Sequence, residues 1–131
     1  MTTTAPAQTA IHDGFYTVPT GGGHKTFRIH TQPSDALFAP VKRVISYLFG
    51  PNNGKDYRGF GFLVGNELHV WKRFQQSYDL LAIARGLLET DGTEYGKQYA
   101  MQSGNCYVCN RLLTTPESIA AGIGPTCASR I

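Results

Sequence analysis

Three cysteines lie together near the end of the chain, and they constrain the structure of that segment more than any other feature. Cys106 and Cys109 form a Cys-x-x-Cys pair, and Cys127 follows after a short insert. Such a pair on a tight turn directs two thiolates at one cation, and a third returning cysteine adds another ligand of a tetrahedral Zn²⁺. Three cysteines cannot all pair in intramolecular disulfides, so a reducing compartment favours metal binding. The sequence therefore predicts a zinc site with ligands Cys106, Cys109 and Cys127.

The insert explains how Cys127 returns to the pair. A brief helix is predicted, with two alternatives for its start: Thr115 caps it and Pro116 takes the first helical position, or Thr114 begins a capping box. Gly122 is a left-handed stop for this helix. Cys127 then lies in the first turn of a final segment, where exposed backbone N–H groups favour a thiolate.

A structural zinc site needs a fourth ligand, which the cysteines do not provide. The candidates are His24, His30, His69 and solvent, and His12 ranks below them because we expect it in a mobile tail. His24 ranks first because it follows a flexible glycine triplet. None of the histidines is included in the predicted ligand set.

The cysteine segment also resembles a known family. Residues 104–118 (GNCYVCNRLLTTPES) and 122–128 (GIGPTCA) resemble an uncharacterised, zinc-finger-like cysteine module. That module is found at the C-terminus of small actinobacterial and actinobacteriophage proteins and is attached to some helicase-like proteins. The resemblance covers residues 103–131, with a weaker likeness through 14–74. It implies a zinc-binding auxiliary module and supplies no known reaction.

The preceding sequence predicts a small β domain followed by helices. Short β-branched and aromatic runs, separated by turn residues, indicate strands at 15–18, 25–31, 41–49, 57–64 and 68–71. A helical apolar period over 78–88 indicates an amphipathic helix on the sheet, and 94–101 indicates a second short helix. We expect an α+β protein with a small antiparallel sheet or barrel. Its predicted parts are a disordered tail at 1–12, the β domain at 13–75, a helical connector at 76–102 and the zinc-binding module at 103–131.

Basic side chains are concentrated in the middle of a chain whose net charge is +3. Residues 21–75 contain eight Lys or Arg and three acidic residues, an excess that permits a polyanion as partner. Lys72 and Arg73 lie between Trp71 and Phe74, so groups that bind phosphate are adjacent to rings that stack on bases. Lys72, Arg73 and Arg58 are the candidate nucleic-acid-binding residues.

Residues 58–64 (RGFGFLV) match most of a strand pattern used for RNA recognition, in which alternate aromatic rings stack on unpaired bases. At the position of the final aromatic residue in that pattern, this chain has Gly65. The predicted order of strands and helices also differs from that of the fold in which the pattern occurs. We therefore favour a core strand in which Phe60 and Phe62 point inward and the glycines permit close packing or a bulge.

An enzymatic zinc site of the nucleobase deaminase type requires a glutamate two residues after a His or Cys ligand. No histidine or cysteine of this chain has one, so we expect no enzymatic activity. The sequence has no apolar run of membrane-spanning length and no signal-peptide pattern, so we expect a cytoplasmic protein, in the host cytoplasm if it is phage-encoded. The expected function is that of a phage-type or actinobacterial accessory protein that binds DNA or RNA. The alternative is a protein-interaction module that binds and modulates a host protein.

Overall fold

The computed structural model describes residues 11–37, 40–51 and 55–128. Five strands form one antiparallel sheet in the order β1-β2-β3-β4-β5, and each strand pairs with the next one along the chain. The strands are β1 (Gly14–Thr20), β2 (Gly23–Thr31), β3 (Arg43–Leu48), β4 (Tyr57–Val64) and β5 (Glu67–Val70). The predicted α+β class with an antiparallel sheet is therefore confirmed, and β1 is an edge strand.

The helices follow the sheet in the sequence. After a 3₁₀ turn at Lys72–Phe74 come α1 (Tyr78–Leu88), α2 (Thr93–Ser103), α3 (Pro116–Ala121) and α4 (Pro125–Ala128). The apolar residues whose spacing predicted α1 form its buried face. Those that lie in the core are Leu80, Leu81, Ala84, Leu87 and Leu88. In the part of the chain described, no helix has both the length and the apolar character needed to cross a bilayer.

Most strand residues of the core lie on one face of the sheet, while Phe15, which pairs with Arg28, is buried on the other. Tyr16 pairs with Phe27, which pairs with Tyr47, and residues that pair directly across strands share a face. Tyr16 and Phe27 have no exposed surface. We call this the core face of the sheet. The alternation predicted for β2 is confirmed, because Phe27 and Ile29 are buried while Arg28 and His30 lie on the opposite face.

A bulge in β4 changes the faces of its aromatic residues. The pairing of β3 with β4 shifts between Ile45 and Ser46, so that Phe60 is an extra residue between Gly59 and Gly61. Phe60 is fully buried in the core, as predicted. Phe62 was expected to point inward too, but it is half-buried and stacks on the His69 ring at 4.9 Å. The inserted residue inverts the alternation, and Phe62 therefore lies on the opposite face.

Some of the predicted segments lie outside the described residues. These are residues 1–10 of the expected tail, 52–54 of the turn after β3 and 129–131 of the final segment. Within the expected tail, Ile11 is only 1% exposed and belongs to the core. Its N–H donates to Asn66 Oδ1 at 2.8 Å. A single apolar residue has no period to reveal it, which is why the sequence pattern did not place Ile11 in the core.

Candidate functional site

Cys106 and Cys109 lie on a tight turn of a short hairpin that follows α2. Asn105 and Leu112 form an antiparallel bridge at the base of this hairpin. Above it, the Cys106 N–H donates to the Arg111 carbonyl at 2.8 Å, and the Asn110 N–H donates to the Cys106 carbonyl at 2.8 Å. These two bonds close the loop and bring the two thiols together.

Asn110 completes the turn with a left-handed backbone, at a φ of 65°. Asparagine tolerates this conformation better than most non-glycine residues. Its side-chain Oδ1 accepts hydrogen bonds from the Tyr99 hydroxyl and from Asn105 Nδ2, which fixes the side chain against α2 and the hairpin. Asn110 was not among the predicted site residues, although the sequence has a residue tolerant of positive φ directly after the second cysteine.

The insert returns Cys127 through two short helices. The Thr115 hydroxyl accepts the Ser118 N–H at 3.2 Å, and Pro116 is the first residue of α3, so the first of the two predicted starts is confirmed. Gly122 ends α3 with a φ of 77°, as predicted. Cys127 then lies within α4, whose Ala128 N–H donates to the Gly124 carbonyl at 2.9 Å.

The three thiol sulfurs all lie within 4.8 Å of one another. Cys106 is buried, Cys127 is partly exposed, Cys109 is exposed, and all three are free thiols. Zn–S bonds of about 2.3 Å in a tetrahedral site separate the sulfurs by about 3.8 Å, so the ring of thiols needs to contract by no more than about 1 Å to hold an ion. A cavity of about 270 Å³ adjoins the three cysteines and is also lined by Arg111. The three cysteines could therefore hold a metal ion.

Backbone N–H groups converge on one sulfur of the cluster. Burial raises the pKa of the Cys106 thiol, but hydrogen bonds from the backbone of Gly124, Cys109 and Val108 outweigh burial and hold that pKa below its ordinary value. A thiolate was expected at Cys127, but burial and the two neighbouring thiols instead raise the pKa of Cys127 to about 12. A second thiolate next to the first is thus unfavourable without a cation. A bound divalent ion reverses that balance, since a metal deprotonates a coordinating thiol.

Tyr107, between the two cysteines, fixes the cysteine hairpin to the sheet. The Phe15 N–H on the outer edge of β1 donates to the Tyr107 carbonyl at 2.6 Å. The Tyr107 ring lies 5.7 Å from the Tyr16 ring, and a Cβ at Gly96 of α2 would lie 2.5 Å from its ring carbons. A Cβ at Gly14 would lie 2.6 Å from its carbonyl oxygen. Two glycines therefore permit the approach, and the hairpin satisfies a donor of the edge strand.

The histidines considered as fourth ligands lie elsewhere. His24 pairs with Pro19, four residues along β1 from the Phe15 contact, which corresponds to about 13 Å of strand. A ring nitrogen of His30, Nε2, lies 2.9 Å from Gln32 Oε1. His69 Nε2 lies 2.8 Å from Glu67 Oε1. Over the described ranges, no His, Asp or Glu joins the group of thiols. The adjoining cavity is large enough for a solvent ligand, which needs about 30 Å³.

One of the three basic residues predicted to bind nucleic acid, Arg73, lines a cleft of the described structure. This cleft has a volume of about 610 Å³, and Arg28 and Trp71 also line it. Lys72 is exposed and does not line the cleft. Arg58 pairs with Tyr47 on the core face. Arg28 was not among the predicted site residues, although the alternation of β2 had already placed it on the polar face.

A family model matches part of the chain. Residues 96–131 match a family described as "Family of unknown function (DUF6011)". The match spans most of α2, the cysteine hairpin, α3 and α4, and it covers just over a quarter of the chain. This segment is therefore similar to that family. No curated protein and no solved structure matches the chain.

Proposed function

We propose that residues 103–131 form a structural zinc module of a non-enzymatic accessory protein that binds nucleic acid. The observation that carries the metal site is the group of three thiols within 4.8 Å, one of which receives backbone N–H groups. Thiolate ligands in a tetrahedral arrangement favour Zn²⁺ among common divalent ions. A structural role is supported by the position of the hairpin, which lies between β1 and α2 and contributes Tyr107 to the core.

The absence of enzymatic activity is part of the proposal and rests on the chemistry around the thiols. Zinc hydrolases and deaminases need a carboxylate or imidazole beside the metal to move a proton. Among the residues described, no such group lies with the three cysteines. The nearest polar lining of the adjoining cavity is Arg111, whose guanidinium does not release a proton at neutral pH.

Metal analysis of the purified protein tests the zinc site. We expect about one Zn²⁺ per chain, and we expect Cys106→Ser and Cys127→Ser to lose the metal and to loosen the C-terminal segment. Met101→Ser, at an exposed position of α2, is the control that should keep the metal. Absence of zinc together with three freely titratable thiols in the folded wild type would refute the site.

Nucleic-acid binding is supported by the distribution of charge and by the cleft of Arg28, Trp71 and Arg73. Phosphate contacts release counterions, so the affinity should fall steeply as salt rises. Fluorescence anisotropy of labelled single-stranded and duplex DNA and RNA over a salt series measures this dependence. Failure of the wild type to bind any of them at low salt would refute the proposal. It would favour the alternative of a module that binds a host protein, which the exposed Leu112 and Ile119 of the cysteine segment support.

The setting of this function is also a proposal. We place the protein in a reducing cytoplasm because three free thiols would persist there. The resemblance of residues 103–131 supports an actinobacterial or phage origin, in which case the host cytoplasm is the compartment.

A further inference from the structure

The face of the sheet opposite the core face carries a defined cleft. Arg28 pairs with Ser46, and Ser46 pairs with Gly59, so these three residues form one row across β2, β3 and β4. His30 pairs with Val44 in the next row. All five residues line the same cavity of about 610 Å³. Binding sites for small ligands have volumes of about 300 to 1,000 Å³, so one nucleotide fits this cleft.

Trp71 forms part of this cleft because β4 has a glycine beneath it. A Cβ at Gly59 would lie 3.0 Å from a carbon of the Trp71 six-membered ring. The missing side chain thus lets the indole approach the sheet closely. The bulge at Phe60 is what places Gly59 in the row of Arg28. Tyr57 and Phe74 also line the cleft, so three aromatic rings border it.

The charge of the cleft is positive. Arg28 and Arg73 both line it, and none of its described lining residues is acidic. Arg73 belongs to the 3₁₀ turn that follows Trp71, and its guanidinium carbon lies 5.6 Å from the centre of the Phe74 ring, which also lines the cleft. Guanidinium groups bind phosphate through paired N–H donors. An anion with a planar aromatic part therefore complements this surface.

His30 gives a second indication of a ligand. Its Nδ1 is buried and has no hydrogen-bond partner within the described part of the chain. Buried polar atoms are normally paired, and an unpaired one calls for an explanation such as an absent ligand. Burial, with a further contribution from Arg28, lowers the pKa of His30, while the hydrogen bond with Gln32 opposes that shift.

We propose that this cleft binds an unpaired base of a single-stranded nucleic acid, with the base against Trp71 and the neighbouring phosphates on Arg28 and Arg73. This inference rests on the proposed function and specifies its ligand. Stacking on an aromatic ring requires a base whose face is accessible, which a strand offers and a duplex does not. We therefore expect single strands to bind in preference to duplexes of the same sequence.

Trp71 is the only tryptophan in the chain and so reports directly on the cleft. The experiment titrates the full-length protein with labelled oligothymidylate, oligouridylate and a DNA duplex. Anisotropy of the label measures binding at any site, and quenching of Trp71 fluorescence measures occupation of the cleft. The expected result is binding of either single strand with quenching, about tenfold tighter than binding of the duplex.

Variants that each remove one arginine distinguish binding in the cleft from binding elsewhere on the surface. Arg73→Ala should weaken single-strand binding by about tenfold to hundredfold, because it removes charged hydrogen bonds. Arg73→Lys should recover part of the loss. Arg85→Ala is the matched control, since Arg85 is an exposed residue of α1 that does not line the cleft, and it should change affinity by less than about twofold. Unchanged melting temperatures establish that the variants fold.

The two measurements distinguish the failure of this inference from the failure of the proposed function. Binding by anisotropy without quenching of Trp71, or with equal losses for Arg73→Ala and Arg85→Ala, overturns the cleft and leaves nucleic-acid binding intact. A preference for the duplex also overturns the cleft. Absence of any binding by anisotropy overturns the proposed function, and the cleft inference with it.

Discussion

Replacing Gly96 of α2 with alanine tests how the cysteine hairpin is fixed to the rest of the protein. A Cβ at this position would lie 2.5, 2.5 and 2.8 Å from three carbons of the Tyr107 ring. Ordinary carbon contacts are about 3.5 to 4.0 Å, so the ring must move by about 1 Å. It has little freedom to do so, because the Tyr107 backbone is hydrogen-bonded to Phe15 and Gly122 and the ring packs beside Tyr16.

The expected magnitude follows from two opposing effects. Glycine to alanine inside a helix stabilises it by about 1 kcal/mol. Overpacking of a closed site costs about 1 to 3 kcal/mol. Gly86 of α1 isolates the first effect, because a Cβ there meets no atom within 4 Å. Gly86→Ala should therefore raise the free energy of unfolding. The free energy of unfolding of Gly96→Ala should be lower than that of Gly86→Ala by about 1 to 3 kcal/mol.

Urea denaturation in saturating zinc measures the stabilities, and retention of zinc against a competing chelator reports on the hairpin. Because Tyr107 lies between Cys106 and Cys109, displacement of its ring should also speed the loss of metal from Gly96→Ala. Equal stability and equal zinc retention in the two variants would refute the packing of Tyr107 against α2 that this reasoning requires.

Two further changes probe the turn and the cleft. Asn110→Gly should lose zinc faster than the wild type because it removes the Oδ1 acceptor of Tyr99 and Asn105. Asn110→Ala should lose zinc faster still, because alanine resists the left-handed backbone and destabilises the turn by a further ~1 to 2 kcal/mol. Equal rates of zinc loss to a chelator in all three proteins would contradict this. Burial lowers the pKa of His30 from its ordinary 6.5. The contribution of His30 to stability is therefore complete above pH 6.5 and is lost as the pH falls from 6.5 towards the folded pKa, because in that range the unfolded chain takes up a proton that the folded chain does not. His30→Gln should flatten this loss in denaturation midpoints, and an unchanged slope would show that other groups cause it.

Local patterns predicted the elements well because their causes are local. The alternation of β2, the apolar period of α1, and the start and stop of α3 depend on residues a few positions apart. The grouping of the cysteines was predictable for the same reason, since the short insert has one capped helix and one left-handed glycine between the turn and Cys127. Spacing alone, however, left the fourth ligand open.

The faces of β4 were not predictable, because they depend on pairing with another strand. The sequence shows two phenylalanines two positions apart, which an uninterrupted strand places on one face. The shift opposite Ile45 and Ser46 makes Phe60 the extra residue and sends Phe62 to the other side. A charge count in sequence could not have found that Arg28, from a different strand, is the residue that shares the cleft with Arg73.

The cysteine segment has a small apolar cluster of its own. This cluster consists of Ala100, Cys106 and Leu113, with partly buried neighbours, and α3 has no buried residue. Tyr107 instead belongs to the core of the sheet. A bound ion would therefore contribute most to the path from α3 to Cys127, since metal binding supplies folding free energy to small modules. The sheet has its own core, so loss of the ion should free the returning helices while leaving the strands and the Arg28 cleft in place.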